Sequence, residues 1–290
     1  MDLREEPKPP FPPQGLDKPG LEREMDPRPR YAAPNYRGAD KLHNQAALVT
    51  GGDSGIGRSV AVLFAREGAD VAIVFLPEEQ VDAEETARAI EAEGRRALLI
   101  SGNVQDAGFC RTAVERTVQE FGKLDLLVNN AAFQQHQASL EELSEQQWDV
   151  TFKTNIYGYF HMVKAALPEL REGSAIINTG SITGLEGNSK LVDYAATKGA
   201  IHAFTKSLAK SLQSRGIRVN CVAPGPVWTP LNPAERSEDE VREFGGQVPY
   251  ARPAQPEEIS PAYVYFASAV DSSYVTGEVH TLLGGKIRAG

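Results

Sequence analysis

The sequence predicts an α/β protein, a three-layer, doubly wound fold built on a parallel sheet of about seven strands. Three observations carry this. Short unbroken apolar runs recur from residue 45 onward, and stretches of helical length and pattern separate them. A glycine-rich bend, "TGGDSGIG" at 50–57, stands between the first run and the first such stretch. Strands covered on both faces read as continuous apolar runs, and parallel strands need right-handed helical crossovers between them.

In chain order, "AALVT" (46–50) is the first strand and Ile56–Glu67 the first helix, with Val60 and Phe64 on one face. "DVAIVFL" (70–76) is the second strand, followed by a charged amphipathic helix over Val81–Glu93. "RALLIS" (96–101), the helix Gly108–Phe121 and "LDLLVN" (124–129) continue the alternation. A helix over Gln146–Ala166, the strand "SAIINT" (174–179), the helix Asp193–Leu212 and the strand "IRVNCVA" (217–223) follow. A helix near Glu257–Ala267 and a strand about Val279–Leu283 close the chain. No internal repeat is visible.

Residues 1–40 differ in kind. They hold nine of the nineteen prolines, charges of both signs and few aliphatic residues, too little apolar surface to offset the entropy of ordering. Two readings stay open: a solvated tail, or an arm laid over its own core or a neighbouring subunit and anchored by Phe11, Tyr31 and Tyr36. Residues 41–290 then form a single domain.

Composition sets bounds on function. Of 290 residues, 41% are apolar and 24% charged, as in an ordinary soluble protein. A net charge of −9 weighs against nucleic-acid or anionic-membrane surfaces. No apolar run approaches the roughly 18–20 residues that span a bilayer. The start, "MDLREEPKPP", lacks the pattern of a signal peptide, so the expectation is a cytoplasmic protein. Cys110 and Cys221 have no metal-ligand spacing and read as buried free thiols; no metal is expected.

In a doubly wound sheet, ligands bind beyond the carboxyl ends of the strands where the winding reverses, and the glycine bend lies there. Gly51, Gly55 and Gly57 allow a tight turn, close approach of a ligand and close helix packing. The helix start around Ile56 offers unpaired amides and a positive dipole end, suited to a pyrophosphate. Further on, Tyr194 and Lys198 stand one helical turn apart and share a face. A free phenol titrates near 10, and bringing it to neutrality takes about 4 kcal/mol. One ammonium roughly 4 Å away supplies about that much at an effective dielectric near 20. Lys198 can thus make Tyr194 a general acid/base. Alone, each element has an ordinary structural explanation: a surface Tyr-x-x-x-Lys pair, a serine in a turn, an asparagine at a helix kink.

Together they form a pattern. The bend reads T-G-x-x-x-G-x-G; "NNAA" (129–132), Asn155 in "KTNIYG", Ser181 in "NTGSITG", "YAATK" with Tyr194 and Lys198, and "PGPVWT" (224–229) follow in order. In this the chain resembles the short-chain dehydrogenase/reductase family over about residues 42–285. "PGLEREMDPRP" (19–29) and "APGPVWTPL" (223–231) are similar to an N-terminally extended bacterial branch, itself similar to plant glucose and ribitol dehydrogenase homologues. The resemblance implies a Rossmann-type fold and an NAD(P)(H)-dependent oxidoreductase that interconverts an alcohol and a carbonyl of the sugar, polyol or aldehyde class. Asn155, Ser181, Tyr194 and Lys198 would be its catalytic residues. Ser181 would hold the substrate oxygen, Asn155 would position a water linking Lys198 to solvent, and Lys198 would also grip the nicotinamide ribose. The implied cofactor contacts are Gly51, Ser54, Gly55, Ile56, Gly57, Asn103, Val104, Asn129, Ala131, Tyr194, Lys198, Pro224, Gly225, Val227 and Thr229.

An acidic residue at the end of the second strand would mark NAD, but Phe75 and Leu76 stand there; the glycine loop carries Asp53-Ser54 and no basic residue. The reading leans to NADP. "QQHQ" (134–137) is either a substrate rim or a solvated loop, and Trp228–Tyr250 resembles the loop that closes over substrate in this family. Trp228 and Phe244 would line the pocket or pin that loop to the core. The expected partner is a small-molecule substrate, with no nucleic acid or membrane, and the family habit implies a homotetramer or dimer. The alternative is a dinucleotide-binding scaffold or redox sensor without significant turnover. An epimerase or dehydratase is disfavoured by the glycine spacing.

Overall fold

A computed structural model describes residues 6–287. Of the two spans read from the sequence, 1–40 and 41–290, the ends at 1–5 and 288–290 lie outside the described residues. Seven strands are present: β1 Ala46–Thr50, β2 Asp70–Phe75, β3 Ala97–Ser101, β4 Leu126–Asn129, β5 Ala175–Thr179, β6 Arg218–Pro224 and β7 Val279–Leu282. They form one sheet in the order β3-β2-β1-β4-β5-β6-β7, and every pairing is parallel. The winding reverses between β1 and β4, so the bend after β1 opens onto the crevice at that point.

The helices are α1 Gly55–Arg66, α2 Gln80–Ala92, α3 Ala107–Phe121, α4 Glu145–Phe152, α5 Gly158–Ala166, α6 Thr183–Glu186, α7 Val192–Leu212, α8 Glu238–Arg242, α9 Pro256–Ala267 and α10 Ala269–Ser272. On one sheet face, Val49, Ile73 and Ile177 pack with Val60 and Phe64 of α1, Ile90 of α2 and Tyr263 of α9. On the other, Leu48, Val74 and Ile176 pack with Val114 of α3, Met162 of α5 and Leu212 of α7. Sheet residues alternate between these two cores, which is why the strands carry no polar face.

The helix expected over Gln146–Ala166 is interrupted by a π turn at Lys153–Tyr157. Its Asn155 side chain is drawn aside to the chain after β4. It accepts from Phe133 N at 2.8 Å and donates to Phe133 O at 2.9 Å and Thr197 Oγ1 at 3.0 Å. A π turn leaves no mark in apolar periodicity, and such turns concentrate at functional sites.

Residues 6–40 have little regular structure beyond a turn of 3₁₀ helix at Glu22–Glu24, yet they lie on the body of the protein and not free in solvent. Phe11 is buried and stacks on Trp228 with ring centroids 4.2 Å apart. The fully buried Trp228 donates its indole N–H to Pro27 O at 2.7 Å. With Met25, Val241 and Phe244 these rings make a small separate core. Tyr36 donates to Glu67 and Tyr31 to Glu85 at 3.2 Å, so both phenols anchor by their hydroxyls while the rings stay half exposed.

Candidate active site

The bend after β1 is shaped by its glycines. Gly51 and Gly55 hold φ of +62° and +50°, and a Cβ on Gly57 would stand 1.8 Å from Gly51 O. Gly57 therefore packs helix against turn; it does not face the cleft as expected. The first-turn amides of Ile56 and Gly57 have no intrahelical partner.

A cleft of about 860 Å³ opens over the carboxyl ends of the strands. Gly51, Ser54, Gly55 and Ile56 line it from the bend, Asn103 and Val104 from beyond β3, Ala131 from beyond β4, and Pro224, Gly225, Val227 and Thr229 from beyond β6. Ser181, Tyr194 and Lys198 line the same cleft. Asn129 does not: it is fully buried at the end of β4, and its side-chain amide donates to Asn178 at 2.9 Å. Asn155 is likewise buried outside the cleft lining, and its side chain positions Phe133 and donates to Thr197 Oγ1. The side chain of Asn130 takes the place at the bend, donating to Gly51 O at 3.0 Å.

Burial dominates the electrostatics of the tyrosine–lysine pair. Tyr194 is 8% exposed and Lys198 1%. Lys198 Nζ donates to Thr179 O at 2.8 Å and lies 5.2 Å from the centre of the Tyr194 ring. Loss of solvation pulls the lysine down to about 8 and pushes the phenol well above its ordinary value of 10, against a hydrogen bond from Ser181 that favours the phenolate. In the protein by itself, Tyr194 is thus a neutral proton donor. The phenol near neutrality expected from the sequence would require further positive charge beside it. Ser181 Oγ also accepts from Thr183 N and Thr183 Oγ1 at 3.1 and 3.0 Å, which fixes its position beside Tyr194.

At the far end of the cleft, Asp53, Glu78 and Glu79 line the wall near Leu76 and Asn103. Asp53 is buried with one carboxylate oxygen lacking a hydrogen-bond partner, and burial raises it to about 6. Glu79 accepts from Leu76 N at 2.8 Å and is raised to about 8 by burial and by the charge of Asp53.

Beneath the glycine bend lies a group that sequence reasoning missed. Glu22, fully buried, accepts from Gly55 N at 2.6 Å and pairs with Arg58 Nη1 at 2.6 Å, while its own amide donates to Asp82 at 2.6 Å. Arg58 also bonds Asp53 O and Thr86 Oγ1 at 2.8 and 2.9 Å. A segment thus fastens the start of α1 from outside the sheet. No periodicity in a proline-rich stretch points to such a residue.

Around the catalytic end, Gln134 lines the cleft, and the adjacent His136 pairs with the buried carboxylate of Glu235 at 2.6 Å. "QQHQ" is therefore a built rim and not a solvated loop. Phe244 lines the cleft, while Trp228 pins the 228–250 segment beneath residues 11–27. Cys110 and Cys221 are buried, unpaired thiols, each raised to about 12 by burial. Among the described residues no helix is long and apolar enough to cross a membrane.

The chain matches the family profile described as Enoyl-(Acyl carrier protein) reductase over residues 51–286. It is 54% identical to an uncharacterized oxidoreductase, YhdF, of Bacillus subtilis, over 94% of each chain. It is 50% identical to glucose and ribitol dehydrogenase of Daucus carota, over 96% of this chain and 97% of that one. Its structure is similar, with a TM-score of 0.78 and 33% identity, to a short chain dehydrogenase from Burkholderia cenocepacia solved in complex with NADP; the match covers 84% of this chain and 98% of that one.

Proposed function

Because the chain belongs to the short-chain dehydrogenase/reductase family of oxidoreductases, we propose that it interconverts an alcohol and a carbonyl of the sugar, polyol or aldehyde class, with Tyr194 as general acid/base. The observation that carries this reading is the meeting of Ser181, Tyr194 and Lys198 on one wall of the cleft that begins at the glycine bend. The residues suit a dinucleotide: a bend with no room for side chains, a helix start with free amides, and a cleft long enough to run from Asn103 to Ser181. When bound, the nicotinamide group would donate or accept the hydride.

The rest falls to side chains. Ser181, held by Thr183, presents its hydroxyl to the substrate oxygen and keeps it against the phenol. Tyr194, neutral through burial, gives its proton to the oxygen as a carbonyl is reduced. Lys198, kept beside the ring by Thr179 O, stabilises the phenolate that forms. Asn155 acts one step removed, fixing the chain at Phe133. Gly51, Ser54, Gly55, Ile56, Asn103, Val104, Ala131, Pro224, Gly225, Val227 and Thr229 would hold the cofactor.

Of the two dinucleotides we favour NAD(H), against the lean read from the sequence. That lean rested on the missing acid at Phe75–Leu76. Acids stand slightly further on: Glu78 would face and oppose a 2′-phosphate, while Glu79, raised to about 8 by burial, would meet a ribose 2′-hydroxyl as a hydrogen-bond partner. The Burkholderia relative was solved in complex with NADP, so the fold accepts that dinucleotide as well. Exposed Trp148, Tyr157 and Phe160 on α4, the π turn and α5 favour a homo-oligomer. The test is an aldehyde and sugar panel assayed with NADH and NADPH side by side. We expect turnover with at least tenfold higher kcat/KM for NADH. Tight dinucleotide binding without turnover on any substrate would sink the enzymatic reading, and an NADPH preference would sink the cofactor assignment.

A further inference from the structure

We infer that the catalytic end of the cleft selects substrates that carry an anionic group, a carboxylate or a phosphate, and that Lys18 and Arg236 are the residues that recognise it. The inference deepens the oxidoreductase reading and rests on it for the identity of the reacting group.

Both cations line the same cleft as Ser181 and Tyr194. Lys18 reaches the cleft from the N-terminal segment. Its Nζ donates to Gln135 Oε1 at 2.8 Å and Gln134 O at 3.3 Å and lies 4.4 Å from the centre of the Phe133 ring. Those partners are all neutral, so the ammonium is oriented but its charge remains. Burial holds its pKa below the ordinary lysine value even though Glu235 and Asp193 pull it upward.

Arg236 is more constrained. Its side chain is 19% exposed, its guanidinium sits 5.1 Å from the centre of the Phe244 ring, and its buried Nε–H has no hydrogen-bond partner. A buried, unsatisfied charged donor is costly and calls for an acceptor. The nearest acid, Glu235, stands 3.7 Å from that Nε, beyond hydrogen-bond reach. Its carboxylate already accepts from His136 N at 2.9 Å, His136 Nδ1 at 2.6 Å and Gln134 Nε2 at 2.8 Å. Glu235 is thus spent on the QQHQ rim. Asp193, the other acid near Lys18, is held by Gln147, Thr151 and Tyr194 N, and Glu240, the other acid near Arg236, by Lys190 and Ser237, so neither cation has an acid of its own at hydrogen-bond distance.

A neutral sugar could accept a hydrogen bond here, but it would leave the charge unmet. A planar guanidinium held by an aromatic face is suited to bidentate capture of carboxylate or phosphate, and a neighbouring ammonium adds a point charge. The chain's net charge of −9 does not oppose this, because exposed charges are screened beyond about 8 Å at physiological ionic strength.

The experiment uses the full chain and two matched pairs: succinic semialdehyde with butanal, and glyceraldehyde 3-phosphate with glyceraldehyde. Turnover is followed with saturating NADH and with saturating NADPH. Binding of the same four compounds is measured by calorimetry on the Tyr194→Phe variant. We expect at least a tenfold preference for the charged member of one pair, in binding and in kcat/KM. The pair that shows it distinguishes carboxylate from phosphate. Lys18→Gln and Arg236→Gln, made separately, should each cut that ratio at least threefold, with Arg236→Lys keeping part of it. A ratio near one in the unaltered protein, or a ratio that survives both substitutions, overturns the inference while any measured turnover leaves the oxidoreductase reading standing. Charge preference in binding with no turnover of any compound does the reverse.

Discussion

The two ends of the cleft treat charge in opposite ways. Beneath the glycine bend, Arg58 is fully buried and met on every side: Glu22 at 2.6 Å, Glu85 at 3.2 Å, Asp82 at 3.5 Å, and the oxygens of Asp53 and Thr86. At the catalytic end, Lys198 has a backbone carbonyl for a partner, Lys18 has neutral amides, and Arg236 has Glu235, 3.7 Å from its Nε and already hydrogen-bonded elsewhere. The first arrangement is closed and serves the fold. The second holds charge ready for something that arrives. The N-terminal segment contributes to both, Glu22 to the closed network and Lys18 to the open one, although it has almost no secondary structure.

Breaking the closed end should give the largest loss of stability. Glu22→Ala leaves Arg58 buried without its nearest partner and frees the amide of Gly55. Removing one member of a buried pair costs about 3–5 kcal/mol. Chemical denaturation should register a loss of that size; a loss under about 1 kcal/mol would mean that Asp82 and Glu85 already satisfy Arg58.

A smaller effect of the same origin appears with pH. Burial raises Glu22 from its ordinary 4.5 to about 7, and Asp53 to about 6, despite the attraction of Arg58. Between about pH 4.5 and 7 the folded chain therefore keeps protons that the unfolded chain has released, and stability falls as pH rises through that window, with Glu79, raised to about 8, extending the fall. Glu22→Gln should make this slope shallower, removing on the order of 1–3 kcal/mol of pH dependence, while Asp53 and Glu79 keep the remainder. An unchanged slope would place the titration elsewhere.

The open end should be nearly silent in the same assay. Lys18 makes no charged pair within hydrogen-bond distance, so Lys18→Ala should change stability by no more than about 0.5 kcal/mol. A loss comparable with that of Glu22→Ala would show that the two ends do not differ in kind.

What could be read from the sequence follows the same division. The sheet, the helices that cover it and the cleft position were legible because buried parallel strands and amphipathic helices impose periodicity. Ser181, Tyr194 and Lys198 were singled out by their order in a family motif, since each alone has an ordinary structural explanation, and the structure brings them to one cleft. Gly57 and Asn129 were placed in the cleft on the strength of a motif, yet a motif does not separate residues that touch a ligand from residues that shape the turn. Glu22, Lys18 and Arg236 were invisible: they lie in irregular segments, and their meaning comes from partners distant in sequence, such as Gly55, Gln134 and Phe244.

The central claim is that a buried phenol on α7 supplies the proton for carbonyl reduction. It is tested most directly by Tyr194→Phe, comparing NADH affinity by fluorescence titration with the rate of aldehyde reduction. The account predicts a rate below about one per cent of the unaltered protein, in line with the 10²–10⁴-fold contribution of general acid catalysis, and an affinity changed less than about threefold. Retention of more than a tenth of the rate, with the cofactor still bound, would contradict it.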